Sequence, residues 1–131
     1  MNVEEVSIEG GCFCGAVRYR LTSEPLSATM CHCSDCRKAV GAQAVAWVTV
    51  SDEHFSFIRG EPQRYRSTPP VERTFCSICG TSLTYWSQDR DQETDITTGS
   101  LDDPAAYPPT KDYFCRDRLP WVEPSTENLK E

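Results

Sequence analysis

The sequence Cys76-Ser77-Ile78-Cys79-Gly80 places two thiols three residues apart and follows the second with a glycine. A Cys-x-x-Cys turn of this kind wraps around a metal ion, because glycine readily takes the left-handed backbone conformation needed after the second ligand. The segment therefore predicts half of a metal site. The other ligands must come from elsewhere in the chain.

A second pair of thiols lies near the N-terminus, in Cys12-Phe13-Cys14. If this stretch is extended, residues two apart project to the same side, so both sulfurs can reach one ion. Two pairs supply four sulfurs, and a tetrahedral site of four cysteines is the closed, structural type of zinc site. We therefore predict a structural zinc ion, tying the N-terminal hairpin to the middle of the chain, with the ligands Cys12, Cys14, Cys76 and Cys79.

A third cluster, Cys31-His32-Cys33-Ser34-Asp35-Cys36, contains three cysteines. A zinc ion with three protein ligands keeps a fourth position for water or substrate, which is the arrangement found in reactive sites. We predict that a second, accessible zinc ion binds here. Its ligands, and in that sense the catalytic residues, would be Cys31, Cys33 and Cys36.

Other side chains could fill the fourth position and make this site structural: His32, Asp35 or Cys115. His32 lies between two ligands, so it would point away from the ion if the local backbone is extended; we expect it behind the ligands or on the surface. Cys115 stands alone between Phe114 and Arg116. A lone cysteine is more typical of a small buried hydrophobic residue.

The cysteine pattern also bears on oxidation state and compartment. Seven of the eight cysteines fall in the three tight clusters, whereas cross-linking cysteines are usually spread along a small secreted domain. Metal binding is therefore favoured over disulfides or a redox-active thiol pair, and the expected location is the cytoplasm. Soft sulfur ligands favour zinc, although iron can also occupy a four-cysteine site.

Size and charge exclude several classes of protein. The chain has 131 residues and a formal net charge of -7. This length predicts a single zinc-binding domain over residues 1–131, with residues 122–131 as a polar, flexible tail. The acidic balance disfavours nucleic acid and anionic membranes as partners. The sequence contains no apolar run of about 18 residues, the length that would predict a membrane span.

Short apolar or alternating runs separated by turn signals predict a mostly β fold. Ala44–Val50 is the strongest predicted strand; the others are Val3–Glu9, Ala16–Leu21, Glu53–Ile58, Gln63–Ser67, Glu72–Phe75, Ser82–Trp86 and Thr94–Thr98. Helix is scarce. Ser34 is expected to cap a short turn that stops near Gly41. A second turn is expected at Asp102–Ala106, with proline near its start.

Five segments of the chain resemble motifs of the glutathione-dependent formaldehyde-activating enzyme family, and they occur in the same order as in that family. The resemblance extends from about Gly10 to Trp121, nearly the whole chain. The matching segments are Gly11-Cys12-Phe13-Cys14-Gly15-Ala16-Val17-Arg18-Tyr19, Cys31-His32-Cys33-Ser34-Asp35-Cys36-Arg37-Lys38 with Gly41, Phe75-Cys76-Ser77-Ile78-Cys79-Gly80-Thr81-Ser82-Leu83, Gly99-Ser100-Leu101-Asp102-Asp103-Pro104 and Leu119-Pro120-Trp121.

The resemblance implies a small, mostly β, Mss4-like fold stabilised by zinc, with one or two short helical turns and the two zinc sites described above. It implies a carbon–sulfur lyase type of activity on a small thiol adduct, the condensation of glutathione with formaldehyde to S-hydroxymethylglutathione. One position departs from the family pattern. Members often carry a histidine eight residues before the Pro-Trp pair, where this chain has Asp112. This departure favours a different adduct or weaker catalysis.

Two features bear on how a substrate would bind. Arg37 and Lys38 follow the last cysteine of the third cluster and could meet the carboxylates of a glutathione-like peptide, or form an ordinary solvated turn. Trp47, Trp86 and Trp121 could wall a pocket or belong to the core. The alternative function is a non-catalytic zinc-binding interaction module of Mss4-like fold, which predicts a closed second site and no pocket beside Cys36.

Overall fold

The computed structural model describes residues 5–66 and 70–125. Within these ranges the chain forms one α-helix, α1 (Ser34–Val40), and ten strands. The strands are β1 (Ile8–Gly11), β2 (Arg18–Leu21), β3 (Ser27–Cys31), β4 (Val45–Ser51), β5 (Phe55–Arg59), β6 (Gln63–Tyr65), β7 (Val71–Phe75), β8 (Ser82–Ser87), β9 (Glu93–Thr97) and β10 (Lys111–Tyr113). The prediction of a mostly β fold is confirmed.

The strands form two sheets. A three-stranded antiparallel sheet has the order β1-β2-β5, and a seven-stranded sheet has the order β10-β3-β4-β9-β8-β7-β6. All neighbours in the larger sheet are antiparallel except β10, which runs parallel to β3. β3 ends at Cys31, so the larger sheet delivers the first thiol of the third cluster.

The hydrophobic core brings the small sheet together with one face of the large sheet. On β4, Val48 and Val50 are fully buried in this core and pack with Tyr19 and Leu21 of β2. Because side chains alternate along a strand, Trp47 and Thr49 point to the opposite face of the large sheet. That face, together with α1, lines an open cleft.

Directly opposed residues form a continuous row across the cleft face. The pairing register joins Tyr65 to Arg73, Arg73 to Tyr85, Tyr85 to Asp95, Asp95 to Thr49 and Thr49 to Ser27. All six residues line the cleft. The row meets β3 at Ser27, two residues before Thr29 and four before Cys31. It therefore lies on the same face of the sheet that leads to the third cysteine cluster.

Most predicted strands are present with shifted ends, and two were missed. β3 and β10 were not predicted, and the predicted strand at Val3–Glu9 is observed only from Ile8, with Val3 and Glu4 outside the described residues. Ser67, the predicted end of the strand observed as β6, is likewise outside them. The segment predicted as a strand from Glu53 starts instead with a 3-10 turn at Asp52–His54.

Both predicted helical segments exist, but the N-cap of α1 differs. Cys33, not Ser34, precedes the helix with an extended backbone, and its sulfur accepts the N–H of Cys36 at 3.4 Å. α1 ends as predicted at Gly41, whose φ of 75° is left-handed. The second segment is a 3-10 turn at Pro104–Ala106, and further 3-10 turns occur at Thr98–Ser100 and Cys115–Asp117.

Candidate metal centres and the cleft beside them

The four cysteines of the two outer pairs converge on one point. A sulfur of each lies within 4.8 Å of the other three, with Cys14 Sγ 3.7 Å from Cys12 Sγ and 3.8 Å from Cys76 Sγ. Sulfurs at the corners of a tetrahedron around zinc are about 3.8 Å apart. The spacing therefore fits a closed site of the ligands Cys12, Cys14, Cys76 and Cys79.

The local geometry of the first pair differs from the expectation of an extended strand. Cys12–Cys14 lies in a turn after β1, in which Gly15 N donates to the Cys12 carbonyl at 3.1 Å. A turn brings thiols two residues apart together just as an extended stretch would. The sequence pattern identified the pair, but not the backbone shape that unites it.

Backbone N–H groups point at these sulfurs. Val17 N donates to Cys12 Sγ at 3.2 Å, and Ile78 N and Cys79 N both donate to Cys76 Sγ at 3.4 Å. Hydrogen bonds of this kind favour the thiolate, the form that binds metal. The Thr81 hydroxyl and N–H similarly lower the pKa of the Cys79 thiol to about 5.

The third cluster brings three sulfurs together. Sγ atoms of Cys31, Cys33 and Cys36 all lie within 4.8 Å of one another, and those of Cys31 and Cys33 are 3.4 Å apart. Within residues 5–66 and 70–125, no further cysteine, histidine or carboxylate joins this group. The arrangement fits an ion with three protein ligands and one position that no side chain fills.

The thiols of the third cluster differ in the direction in which their pKa values are shifted. The hydrogen bond between Cys31 and Cys36 raises the pKa of Cys31 and lowers that of Cys36 to about 6. A hydrogen bond from Cys33, together with the positive charge and a hydrogen bond of Arg73, lowers the pKa of Cys36 in the same direction. Arg73 is thus coupled to the cluster, although the two are far apart in sequence.

The proposed fourth ligands lie elsewhere. His32 is fully buried and points away from the three sulfurs, but it is not on the surface: its Nε2 lies 2.9 Å from Asp112 Oδ1. Cys115 is buried beside this pair, with donor atoms of the three residues within 4.8 Å of one another. Asp35 is exposed in the first turn of α1.

Asp112 connects several segments. Its Oδ1 also accepts the backbone N–H of Ser125 at 3.1 Å and the Ser125 hydroxyl at 2.9 Å. Because this oxygen accepts the Ser125 N–H, the contact with His32 at the same atom is one in which Nε2–H of His32 donates. His32 Nδ1 is buried without a hydrogen-bond partner among the described residues. The network ties the C-terminal segment to the loop between two candidate ligands.

An open cleft of about 1410 Å³ adjoins the third cluster. All three of its cysteines line this cleft, together with Trp47 and Tyr85, whose rings meet edge to face at 6.1 Å. The four-cysteine site does not contribute a cysteine to the lining. The two clusters therefore differ in their access to this cleft, since among the described residues the third cluster lines it with three thiols and the four-cysteine site with none.

The charged residues predicted to bind substrate occupy different positions. Lys38 lines the cleft from α1, whereas Arg37 does not line it and has a buried Nη1 without a hydrogen-bond partner among the described residues. Their roles stay a prediction. Sequence reasoning missed Arg73, which lines the cleft from β7. Its place opposite Tyr85 depends on strand register, which no local motif reveals.

The three tryptophans also have different environments. Trp47 is buried at the cleft wall. Trp86 is half-buried, and its indole N–H donates to Asp52 Oδ2 at 3.2 Å. Trp121 is exposed and donates its indole N–H to Gln43. Of the three, Trp47 alone belongs to the cleft lining within the described residues.

Two observations bear on the possibilities of disulfide bonds and of a membrane-spanning helix. All eight cysteines lie in the described ranges and are free thiols rather than disulfides. No helix among the described residues is long and apolar enough to cross a membrane.

Comparisons with known proteins agree with this architecture. Residues 7–117 match the glutathione-dependent formaldehyde-activating enzyme family. A Halomonas elongata protein named for that activity is 32% identical over 127 residues, covering 88% of this chain and 80% of its own. A Schizosaccharomyces pombe protein named only as a lyase is 31% identical over 75 residues, covering 57% of this chain and 54% of its own.

A solved structure of a Rhodobacter sphaeroides protein is also similar. It has a TM-score of 0.61 and 25% sequence identity, and the match covers 72% of this chain and 87% of that one. These matches settle the relationship. The chain belongs to the glutathione-dependent formaldehyde-activating enzyme family.

Proposed function

We propose that the protein is a zinc-dependent enzyme of the carbon–sulfur lyase type that interconverts a small thiol, glutathione, and its formaldehyde adduct. The observation that carries this proposal is the three-sulfur cluster of Cys31, Cys33 and Cys36 at the wall of an open cleft. Family membership and the names of the relatives supply the thiol and the aldehyde.

The donor set supports two zinc ions with different tasks. Four sulfurs in one cluster suit a structural ion, and three in the other suit an accessible one. When bound by the three cysteines, zinc would supply a Lewis-acid position for a thiol sulfur. Thiolate ligands donate much charge, so this position favours thiol binding over hydrolysis.

The chain's own residues would bind and orient the reactants. The cleft wall of Trp47 and Tyr85 offers an apolar surface beside the three sulfurs. In the reaction, the thiol sulfur bonds to the carbonyl carbon of formaldehyde and the thiol proton ends on the carbonyl oxygen. The reverse reaction breaks the carbon–sulfur bond. Holding both reactants in one cleft favours either direction by proximity.

The alternative, a non-catalytic zinc-binding interaction module, predicts a closed third cluster without a pocket beside Cys36. Cys36 instead belongs to the lining of a cleft of about 1410 Å³. A module that acts only through its outer surface has no use for such a space next to three thiols. The cleft therefore favours the enzyme.

The direct test measures exchange between glutathione plus formaldehyde and S-hydroxymethylglutathione by two-dimensional exchange NMR. The zinc-loaded protein is expected to accelerate exchange above the uncatalysed rate in proportion to protein concentration. The Cys33→Ser variant is the control, because it retains the four-cysteine site while removing one ligand of the accessible site. An unchanged exchange rate with the zinc-loaded protein would refute the proposal.

A further inference from the structure

Two of the cationic side chains in the cleft form no ion pair with a carboxylate among the described residues. Three cationic side chains line this space: Lys38, Arg73 and Arg90. Arg90 is fully engaged, since its Nη1 lies 2.6 Å from Asp95 Oδ2 and its Nη2 lies 2.9 Å from Glu93 Oε1. Lys38 and Arg73 make no ion pair with a carboxylate within residues 5–66 and 70–125, and Arg73 hydrogen-bonds to the Cys36 sulfur at the edge of the three-cysteine cluster.

The position of Arg73 is fixed by its strand. It lies in β7, flanked in register by Tyr65 on β6 and Tyr85 on β8. Its guanidinium carbon is 4.9 Å from the centroid of the Tyr85 ring, a cation–π contact that holds the group over the aromatic face. A guanidinium held in this way has lost side-chain freedom before any ligand arrives.

The neighbouring acids do not neutralise this charge. Asp95 is two places from Arg73 in the row across the sheet, but its carboxylate already accepts Arg90 and the Thr49 hydroxyl, the latter at 2.6 Å. Glu72, next to Arg73 in sequence, pairs with Arg64 at 2.8 Å. A half-buried cation in a cleft, with its local acids engaged by other cations, is available for an anion brought by a ligand.

We propose that Arg73 forms a carboxylate-binding subsite beside the three-cysteine cluster, which selects thiols that carry a carboxylate. This inference rests on the proposed function for the sulfur end of the ligand. The ligand's thiol would occupy the position left by Cys31, Cys33 and Cys36, and its carboxylate would pair with the guanidinium. Cysteine-containing peptides such as glutathione fit this description, whereas neutral thiols do not.

An arginine suits this task better than the lysine on α1. Its planar fork meets both oxygens of a carboxylate, and it stacks on Tyr85 without losing those donors. Lys38 is exposed on a seven-residue helix and presents a mobile point charge. The subsite therefore predicts selectivity that depends on Arg73 and hardly on Lys38, although both residues carry the same charge.

Calorimetric titration of the zinc-loaded protein tests this inference, with glutathione and glutathione diethyl ester as probes. The ester keeps the thiol and removes both carboxylates. Wild-type protein is expected to bind glutathione at least about tenfold more tightly than the ester. Arg73→Gln should abolish this preference by lowering the affinity for glutathione and not that for the ester. Arg73→Lys should reduce the preference only partially. Lys38→Gln, the matched control, should change both affinities by less than about twofold.

Several results would overturn the subsite: equal wild-type affinities for the two probes, no binding of glutathione, an equal loss for both probes in Arg73→Gln, or loss of the preference in Lys38→Gln instead. Zinc content and thermal stability are measured on each variant. If Arg73→Gln does not fold, the wild-type preference and Arg73→Lys decide the question. The proposed reaction fails separately, since Arg73-dependent binding without accelerated exchange would refute the reaction and leave the subsite standing.

Discussion

At the scale of single residues, the turn that carries Cys76 and Cys79 depends on a backbone conformation that residues with a β-carbon rarely adopt. Gly80 follows the second cysteine of the Cys-x-x-Cys turn with φ of 87°, and its N–H donates to the Cys76 carbonyl at 2.8 Å. A β-carbon added here would meet no atom within 4 Å. Any cost of Gly80→Ala is therefore backbone strain, not a clash.

We expect Gly80→Ala to lower the free energy of unfolding by about 1–2 kcal/mol, because an L-residue pays that much in the left-handed region. Gly99→Ala is the matched control: a β-carbon there also meets nothing within 4 Å, and Gly99 has no positive φ. It should change stability by less than about 0.5 kcal/mol. Urea denaturation of both variants measures the difference, and equal effects would argue against strain at Gly80.

A second residue-scale prediction concerns Asp112. The fully buried carboxylate accepts hydrogen bonds from His32 Nε2 and from the N–H and hydroxyl of Ser125. Asp112→Ala leaves these donors without their acceptor, so we expect a loss of about 3 kcal/mol in the free energy of unfolding. Asp117→Ala, at an exposed carboxylate, should cost less than about 0.5 kcal/mol. A nearly neutral Asp112→Ala in urea denaturation would contradict the proposed anchoring role of this network.

At the scale of elements, each cysteine cluster joins different parts of the chain. The four-cysteine cluster links the turn between β1 and β2 to the turn between β7 and β8, and so ties the small sheet to the large one. The three-cysteine cluster is local, since it spans the end of β3, a two-residue loop and the start of α1. Loss of an ion from the first cluster should therefore affect folding more than loss from the second.

This difference predicts contrasting variants. Cys76→Ser removes a ligand that is almost fully buried from the inter-sheet site, and we expect insoluble or unfolded protein. Cys33→Ser should give soluble, folded protein with one zinc ion fewer and no exchange activity. Soluble yield, zinc content and thermal unfolding measure both effects. Equal damage from the two substitutions would argue that both sites are structural, and a stable Cys76→Ser protein would contradict the structural assignment.

The same scale explains which elements were predictable. The Ala44–Val50 run predicted β4 nearly to the residue, because a buried strand is continuously apolar. β3 has little alternation, and β10 has three residues, so neither carries a local signal. They form because β3 pairs with β4 and then offers its other edge to β10. Such long-range pairing is invisible in a short window of sequence.

At the scale of the whole molecule, the two faces of the large sheet have different roles. One face packs against the small sheet and forms the core, and the other lines the cleft beside the three-cysteine cluster. The cysteine clusters were predictable, because ligand spacing is local. Arg73 was not, because its neighbours are set by the register of three strands. Asp112 stood out only as a departure from the family pattern, and its partners His32 and Ser125 required the fold.

The central claim is that the ion held by Cys31, Cys33 and Cys36 keeps one position for a thiol, whereas the other ion is closed. Cadmium-113 NMR of the cadmium-substituted protein tests this most directly, since the chemical shift reports the number of bound sulfurs. We predict two resonances, one from four sulfurs and one from three sulfurs with one oxygen. Added glutathione should move only the second into the four-sulfur region. Two four-sulfur resonances without glutathione, or a second resonance that glutathione leaves unmoved, would contradict the account.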